Sequence, residues 1–221
     1  MNADPAPSPR DGAAQQRTGS ALRDAIHRGE FAPGQRLVES DLMERFGATR
    51  AGVRLALADL TAEGLVERLQ NKGARVRVVS IATAVEITEC RMVLEGLCAA
   101  KAAERVTDKD RDGLRELIGQ MRSAVAGGDL LGYSDLNHQL HRRIQEMSAQ
   151  HTAVDTIERL RGQVVRHQFQ LALRPGRPAR SLEEHNRIAE AVIAGDAAAA
   201  EAAMREHLAS VINALRETAT G

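Results

Sequence analysis

Two polar side chains in the segment 134–144, which reads SDLNHQLHRRI, have the spacing of ligands on one face of a helix. At 100° per residue, an α-helix over 129–148 gathers its apolar residues into one stripe. The stripe consists of Tyr133, Leu136, Leu140, Ile144 and Met147. Asn137 and His141 lie at its edge, whereas His138 projects toward water. The pattern therefore predicts that Asn137 and His141 point into the protein.

Two later histidines also lie on the apolar side of a helix when the sequence is rotated at 100° per residue. His185, in SLEEHNRIAEAVIAG, and His207, in AAAMREHLASVINAL, lie on or beside the apolar face of a predicted helix. A buried imidazole without a partner costs about 1–3 kcal/mol, and a shared divalent metal would satisfy all three imidazoles and the amide. The residues predict a metal site formed by Asn137, His141, His185 and His207. The alternative is that each histidine is an ordinary hydrogen-bonded core residue.

A second group of residues could contact nucleic acid. Arg50 and Arg54 lie four positions apart at the start of a predicted helix and so share one face. Lys72 and Gly73 form the tip of a predicted hairpin, where glycine lets the backbone approach a partner closely. Basic side chains on a helix and a following hairpin predict binding to DNA. The alternative is that these arginines only solvate the surface.

The composition favours helices packed on helices. Aromatic residues make up 2% of the 221 residues and tryptophan is absent, which is typical of helical packing when Ala, Leu, Arg and Glu dominate. The formal net charge of +0 excludes a uniformly basic coat but allows a small basic module. No apolar run approaches ~18 residues and no signal-peptide pattern opens the chain, so we expect a cytoplasmic protein.

The order of predicted elements divides the chain into three parts. Residues 1–14 are rich in proline, alanine and polar residues and predict a disordered tail. Residues 15–80 predict three short helices, the last capped by Thr49, and a two-stranded hairpin around NKG, which is the order of a winged helix-turn-helix. Residues 81–221 predict an all-helical domain. Its predicted helices lie near 82–106, 108–127, 129–148, 152–173, 181–194 and 196–217, with RPGRPARS as an exposed loop.

The predicted fold class is thus mostly α, with an N-terminal winged helix-turn-helix followed by a helical bundle. Residues 20–79 resemble the winged-helix domain of the GntR family of bacterial transcription regulators. The likeness rests on GxFxPGxxLxExxLxxxxG, TR at the start of the recognition helix, LxxLxxEGLV and the KG wing tip, in that order. The positions that this likeness places on operator DNA are Thr49, Arg50, Arg54, Lys72 and Gly73.

The recognition helix departs from the family pattern in its first turns. Ala51 and Gly52 stand where the family usually has threonine and proline, and Leu55 stands where it has glutamate. We therefore expect a different preferred operator. One DNA-binding domain with few base contacts discriminates poorly between DNA sequences. Two such domains related by a twofold axis recognise a palindrome, so we also expect a homodimer.

Residues from about 85 to 215 resemble the all-helical effector domain of the FadR-type branch of this family, the FCD domain. The likeness rests on RMVLEGLCAA, LNHQLHRRI, SLEEHNRIAEAVIAGD and AAMREHL, in order. In such domains an Asp or Asn, a His four positions later and two further His hold a divalent ion. These positions match Asn137, His141, His185 and His207. The likeness also implies that Arg91 faces the cavity.

Nitrogen-rich ligands favour zinc, our first choice, with nickel as the alternative, over magnesium. Neutral imidazoles and an amide do not compensate the charge of the ion, so a small organic carboxylate is expected to bind it together with Arg91. The sequence thus predicts a ligand-responsive transcription regulator, most often a repressor in this family, and not an enzyme. Two alternatives remain open: a metal-dependent hydrolase fused to a winged helix, and a regulator whose metal is purely structural.

Overall fold

The computed structural model of the chain describes residues 9–69, 73–172 and 174–218. The chain folds into two compact units, residues 1–79 and 80–221. Nine helices and one three-stranded sheet account for most of the described residues. The mostly α fold, with an N-terminal helix-turn-helix and a C-terminal helical bundle, is confirmed.

The first unit is built from three helices and a small sheet. Its elements are α1 (Pro9–His27), β1 (Arg36–Leu37), α2 (Glu39–Phe46), α3 (Arg50–Ala62), β2 (Val66–Leu69) and β3 (Gly73–Val76). Leu22, Leu42 and Leu60 are fully buried between the helices. Gly47 ends α2 in the left-handed conformation with φ of 58°, which costs glycine little. The predicted cap of α3 is confirmed, because the Thr49 hydroxyl accepts a hydrogen bond from the Gly52 amide.

The sheet has three strands in the order β1-β3-β2, all antiparallel. The predicted hairpin corresponds to β2 and β3, in which Val66 pairs with Val76 and Leu69 with Gly73. The expectation of only two strands was wrong, since Arg36 pairs with Arg75 to add β1. A strand of two residues is too short to show an alternating pattern, which is why the sequence did not indicate it.

The first helix begins earlier than the sequence indicated. It starts at Pro9, so residues 9–14 of the predicted disordered tail are helical, while residues 1–8 lie outside the described part. Proline at the first position and the alanine and glutamine that follow favour a helix start, and this local preference outweighs the overall polarity of the segment.

The second unit is entirely helical over its described residues. Its helices are α4 (Ile81–Arg105), α5 (Asp108–Ala126), α6 (Leu130–Ser148), α7 (His151–Ala172), α8 (Arg177–Ala194) and α9 (Ala197–Glu217). Five of the six agree with their predicted bounds to within one residue. The exception is α8, which starts four residues early because Pro178 occupies its first turn, where proline is pre-organised for the helix. The second half of the predicted RPGRPARS loop is therefore helical.

The central helix of this unit is α4, which packs against α6, α7, α8 and α9. Small side chains on α4, among them Ala99, Ala102 and Ala103, let the neighbouring helices approach closely. Leu140 on α6, Ile188 on α8 and other large apolar side chains complete the core. Within the described residues, no helix has both the length and the apolar character needed to cross a bilayer.

Candidate metal centre and cavity

Three of the four predicted metal ligands meet in the core of the second unit. His141 on α6, His185 on α8 and His207 on α9 are buried, and one ring nitrogen of each lies within 4.8 Å of the others. The Nε2 atoms of His141 and His185 are 3.2 Å apart. Two nitrogens bound to one tetrahedral zinc at about 2.0–2.1 Å would be separated by roughly 3.3 Å. The triad could therefore hold a metal ion with little movement.

The other nitrogen of each imidazole has a hydrogen-bonding partner. His141 Nδ1 lies 2.7 Å from Glu95 Oε2, and His207 Nδ1 lies 2.8 Å from Glu184 Oε2. His185 Nδ1 lies 3.1 Å from the hydroxyl of Tyr133. Ionised carboxylates only accept, so Nδ1 of His141 and of His207 must carry the proton. Their Nε2 lone pairs then face the centre of the cluster, as in sites where outer residues orient metal-bound histidines.

Electrostatics favours the neutral form of His185 and His207 and the charged form of Glu95 and Glu184. Burial lowers the pKa of His207 to about 4, and burial with the neighbouring imidazoles lowers the pKa of His185 well below its ordinary value. Burial alone would raise the pKa of Glu184, but hydrogen bonds from His207, Ser210 and Arg177 lower it to about 2. Neutral imidazoles are the form that binds metal.

Glu95 joins the triad to Arg91. Its Oε1 accepts from Arg91 Nε at 2.8 Å, and its Oε2 contacts His141. Burial opposes its ionisation, but Arg91 and His141 outweigh burial and lower the pKa of Glu95 well below its usual range. Arg91 itself is 4% exposed, and its Nη1 atom is buried with no hydrogen-bond partner. A buried guanidinium with a free donor is suited to bind an anion.

Asn137, the fourth predicted ligand, lines the same cavity as His141 and His207. Its Oδ1 atom is buried and has no hydrogen-bond partner. An unpaired buried carbonyl oxygen is costly unless a cation or donor occupies the space beside it. Asn137 therefore brings an unpaired oxygen into the cavity that His141 and His207 line.

The cavity has a volume of about 80 Å³. Its cationic lining residues are Arg91 on α4, Arg161 on α7 and Arg177 on α8. The guanidinium of Arg177, which the sequence placed in an exposed loop, is 10% exposed and pairs with Glu184 and Ser210. That expectation was wrong because α8 begins at this residue and turns it toward α9.

The structure also corrects the position of His138. The rotation of α6 placed this residue in water, but it lines the cavity, and its Nδ1 accepts a hydrogen bond from Arg161 on α7. Burial, together with the charges of Arg161 and Arg91, lowers the pKa of His138 to about 3. A second packed helix covers a face of α6 that a single apolar stripe does not reveal.

Glu95 and Glu184 are the functional residues that sequence reasoning missed. Both lay within quoted motifs, Glu95 four positions after Arg91 and Glu184 directly before His185. The spacing of Arg91 and Glu95 is that of an ion pair on one helix face, a signal that was available. These carboxylates bind Nδ1 atoms and arginines, so neither is placed as the free general base that a hydrolase would need.

The residues predicted to contact DNA lie in the first unit. Arg50 and Arg54 are exposed on α3, and Thr49 is exposed at its start. Arg54 Nε forms an ion pair at 3.0 Å with Glu39 on α2. Gly73 opens β3 with φ of 86°, a conformation that side chains disfavour. Lys72 lies outside the described residues.

Comparison with known proteins identifies both units. Residues 14–76 match the family described as bacterial regulatory proteins, gntR family, and residues 86–210 match the FCD domain. The HTH-type transcriptional repressor GlaR of Escherichia coli (strain K12) is 30% identical over 208 residues, which cover 90% of this chain and 94% of that protein. The HTH-type transcriptional regulator LutR of Bacillus subtilis (strain 168) is 30% identical over 219 residues, covering 86% and 95% of the respective chains.

Solved structures share this fold. The structure of E. coli McbR/YncC superposes with a TM-score of 0.78 at 23% identity, covering 93% of this chain and 98% of that chain. A GntR transcriptional regulator from Rhodococcus sp. RHA1 superposes with a TM-score of 0.74 at 24% identity and the same coverage. The chain therefore belongs to the GntR family of bacterial transcription regulators, and it combines a DNA-binding helix-turn-helix domain with an FCD domain.

Proposed function

We propose that this regulator is a repressor that binds a palindromic operator as a homodimer and responds to a small organic carboxylate. The effector binds at a divalent metal ion, zinc as first choice and nickel as the alternative, held by Asn137, His141, His185 and His207. The observation that carries the proposal is one cavity lined by metal-ligand side chains and by Arg91, whose Nη1 is unpaired. The repressor names of relatives such as GlaR support the direction of control.

The ligand set suits the proposed ion. Three inward Nε2 atoms and one unpaired amide oxygen match the nitrogen-rich coordination that zinc and nickel accept. When bound, the ion would supply a Lewis-acid centre that attracts a carboxylate oxygen. Glu95 and Glu184 hold the His141 and His207 rings in the required tautomer, and Arg91 and Arg177 balance the charges of these two carboxylates. Because these carboxylates are balanced by arginines, the positive charge of the ion is left to be balanced by an anionic effector.

For the first unit, we propose that Thr49, Arg50, Arg54, Lys72 and Gly73 contact the operator. Arg50 and Arg54 are exposed on the helix that follows the turn, where this motif reads base edges. Arg54 is paired with Glu39, so DNA must displace that exposed carboxylate. The exchange costs little, because exposed ion pairs contribute about 0–1 kcal/mol. Two such DNA-binding domains related by a twofold axis make twice the number of base contacts that one domain makes.

The test of DNA binding uses duplexes selected by the zinc-loaded full chain from a random pool at ~150 mM salt. We expect a palindrome to be enriched, and Arg50→Ala to weaken its binding by about tenfold or more. Arg17→Ala removes an exposed arginine from α1 and serves as the matched control. If the selected sequences are no tighter than random duplex, the operator proposal fails.

A second experiment separates a sensory metal from a structural one. Thermal unfolding of the full chain is followed with and without chelator, and then with small carboxylic acids added. A sensory site predicts stabilisation by acid that disappears when the chelator removes the metal. Stabilisation by metal alone, with no response to any acid tested, would instead support the structural alternative.

A further inference from the structure

Arg161 is a part-buried cation that forms no ion pair with a carboxylate among the described residues. It lies on α7 and lines the cavity, where its Nη2 donates to His138 Nδ1. Among the described residues, His138 is the hydrogen-bond partner of Arg161. The charges of Glu95 and Glu158 influence the guanidinium electrostatically, but neither carboxylate forms a hydrogen bond with it. A neutral imidazole satisfies one donor of a guanidinium but leaves its charge uncompensated. Holding such a charge away from water is costly without an anion.

A second unpaired donor faces the same cavity. Arg91 uses Nε and Nη2 on Glu95, while its Nη1 is buried and without a partner. Because Arg161 donates to Nδ1 of His138, the proton of that neutral ring resides on Nε2, which is a further donor. The lining thus offers hydrogen-bond donors from three helices, α4, α6 and α7. No described residue accepts a hydrogen bond from Nη1 of Arg91, so a ligand could supply this acceptor.

The charges of the cavity indicate how many anionic groups its ligand carries. Glu95 pairs with Arg91, and Glu184 pairs with Arg177 and with the exposed Arg180, so neither carboxylate is left to balance Arg161. The charge of Arg161 remains, in addition to the two positive charges of the proposed metal ion. A monocarboxylate would neutralise one of these three charges, whereas a dicarboxylate would neutralise two and use both groups of donors.

We propose that Arg161, His138 and Nη1 of Arg91 form a second anion subsite, and that the effector is a small dicarboxylate with one carboxylate at the metal and the other at this subsite. The inference rests on the proposed function and assigns the ligand class of the same cavity. The volume of about 80 Å³ sets the size of the ligand. Since one water needs roughly 10–15 Å³ of such space, the cavity takes at most about eight water-sized groups, the number of non-hydrogen atoms in a four-carbon diacid, so larger acids are not expected.

The experiment compares succinate with butyrate, which has the same number of carbons and one carboxylate. Calorimetry measures the binding of each acid to the zinc-loaded full chain. We expect succinate to bind more tightly than butyrate, and Arg161→Gln to weaken succinate by on the order of tenfold to a hundredfold. The same substitution leaves butyrate within about twofold, which also shows that the variant is folded and metal-loaded.

Two further variants sharpen the result. Arg159→Gln removes an exposed arginine from the same helix and is the matched control, with no change expected for either acid. Arg161→Lys retains the charge, so succinate binding should recover in part.

The second subsite is refuted if succinate and butyrate bind with equal affinity. It is also refuted if Arg161→Gln weakens succinate no more than it weakens butyrate. In both cases the proposed function, a carboxylate bound at the metal, would still stand. Inorganic phosphate that binds as tightly as succinate with the same dependence on Arg161 also overturns the second subsite, because one compact dianion would then suffice. Failure of zinc to bind, or of both acids to bind the zinc-loaded chain, overturns the subsite and the proposed function together.

Discussion

Substituting Glu95 by glutamine tests whether the outer residues of the triad are part of a metal site. Glu95 is 1% exposed, and its two oxygens contact His141 and Arg91 at 2.7 Å each. Glutamine keeps the size of the side chain but removes the charge that fixes the proton on His141 Nδ1. It can also turn its NH₂ group toward Nδ1, which would move the proton of His141 to the metal-binding nitrogen Nε2.

Two effects of different size follow from this geometry. Loss of an outer hydrogen-bond partner lowers metal affinity by about tenfold to a hundredfold, or roughly 1.4–2.7 kcal/mol. Arg91 then becomes a buried charge without a counter-ion, which lowers the free energy of unfolding of the metal-free protein by about 3–5 kcal/mol. A residue with only a structural role would produce the second effect without the first.

The two quantities are measured separately on Glu95→Gln. Competition with a chromophoric chelator gives the zinc affinity at a temperature where circular dichroism shows the variant folded, and urea unfolding after metal removal gives the stability. Glu86→Gln, an exposed glutamate on the same helix, is the matched control and should change neither quantity. Unchanged zinc affinity in folded Glu95→Gln would refute the assignment of Glu95 to the metal centre.

Three other predictions concern single groups. Tyr133→Phe removes the hydroxyl beside His185 Nδ1 without changing any charge, so zinc affinity should fall by about tenfold while the arginine pairs persist; chelator competition measures this, and no change would mean that the hydroxyl does not orient the ring. His207, with a folded pKa of about 4, is neutral where an unfolded histidine with a pKa of about 6.5 is protonated. The unfolded state therefore binds more protons, and this residue alone should cost the metal-free protein about 3 kcal/mol of stability as the pH falls from about 6.5 to about 4; urea midpoints that are flat across this window would contradict the prediction. Thr49→Ala removes the cap of α3 and should cost about 1 kcal/mol of stability by urea unfolding, whereas Thr49→Ser should cost almost nothing.

Local patterns were enough to predict most of the helices, the hairpin of β2 and β3, and the three histidines. The apolar stripe of α6 correctly indicated that Tyr133, Leu140 and Ile144 are buried, and His141 beside it is buried as well. The same period placed His185 and His207 on inward faces of α8 and α9. A helix that packs on one core shows its inward side in its own sequence, so the triad required no knowledge of which helices are neighbours.

The partners of the triad required knowledge of packing between helices. Glu95 reaches His141 from another helix, 46 residues away in sequence, and Arg161 reaches His138 across 23 residues. His138 was misplaced because α6 packs against α7 as well as α4, so more than one face of α6 is covered. His141 and His138 are each paired with a side chain on a neighbouring helix. The periodicity of one helix does not indicate which helix that neighbour is.

The shared carboxylate of Glu95 gives the proposed regulator a physical link between its two ligands. One oxygen of Glu95 holds His141, a proposed metal ligand, and the other holds Arg91, the proposed anion-binding arginine. A metal ion held at Nε2 would make the Nδ1 proton of His141 more acidic and strengthen its hydrogen bond to Glu95, which would weaken the hold of Glu95 on Arg91. Arg91 and Glu95 both lie on α4, which begins at Ile81, near the start of the second unit in the sequence. By the reciprocity of linked binding, metal and effector affinities should rise together.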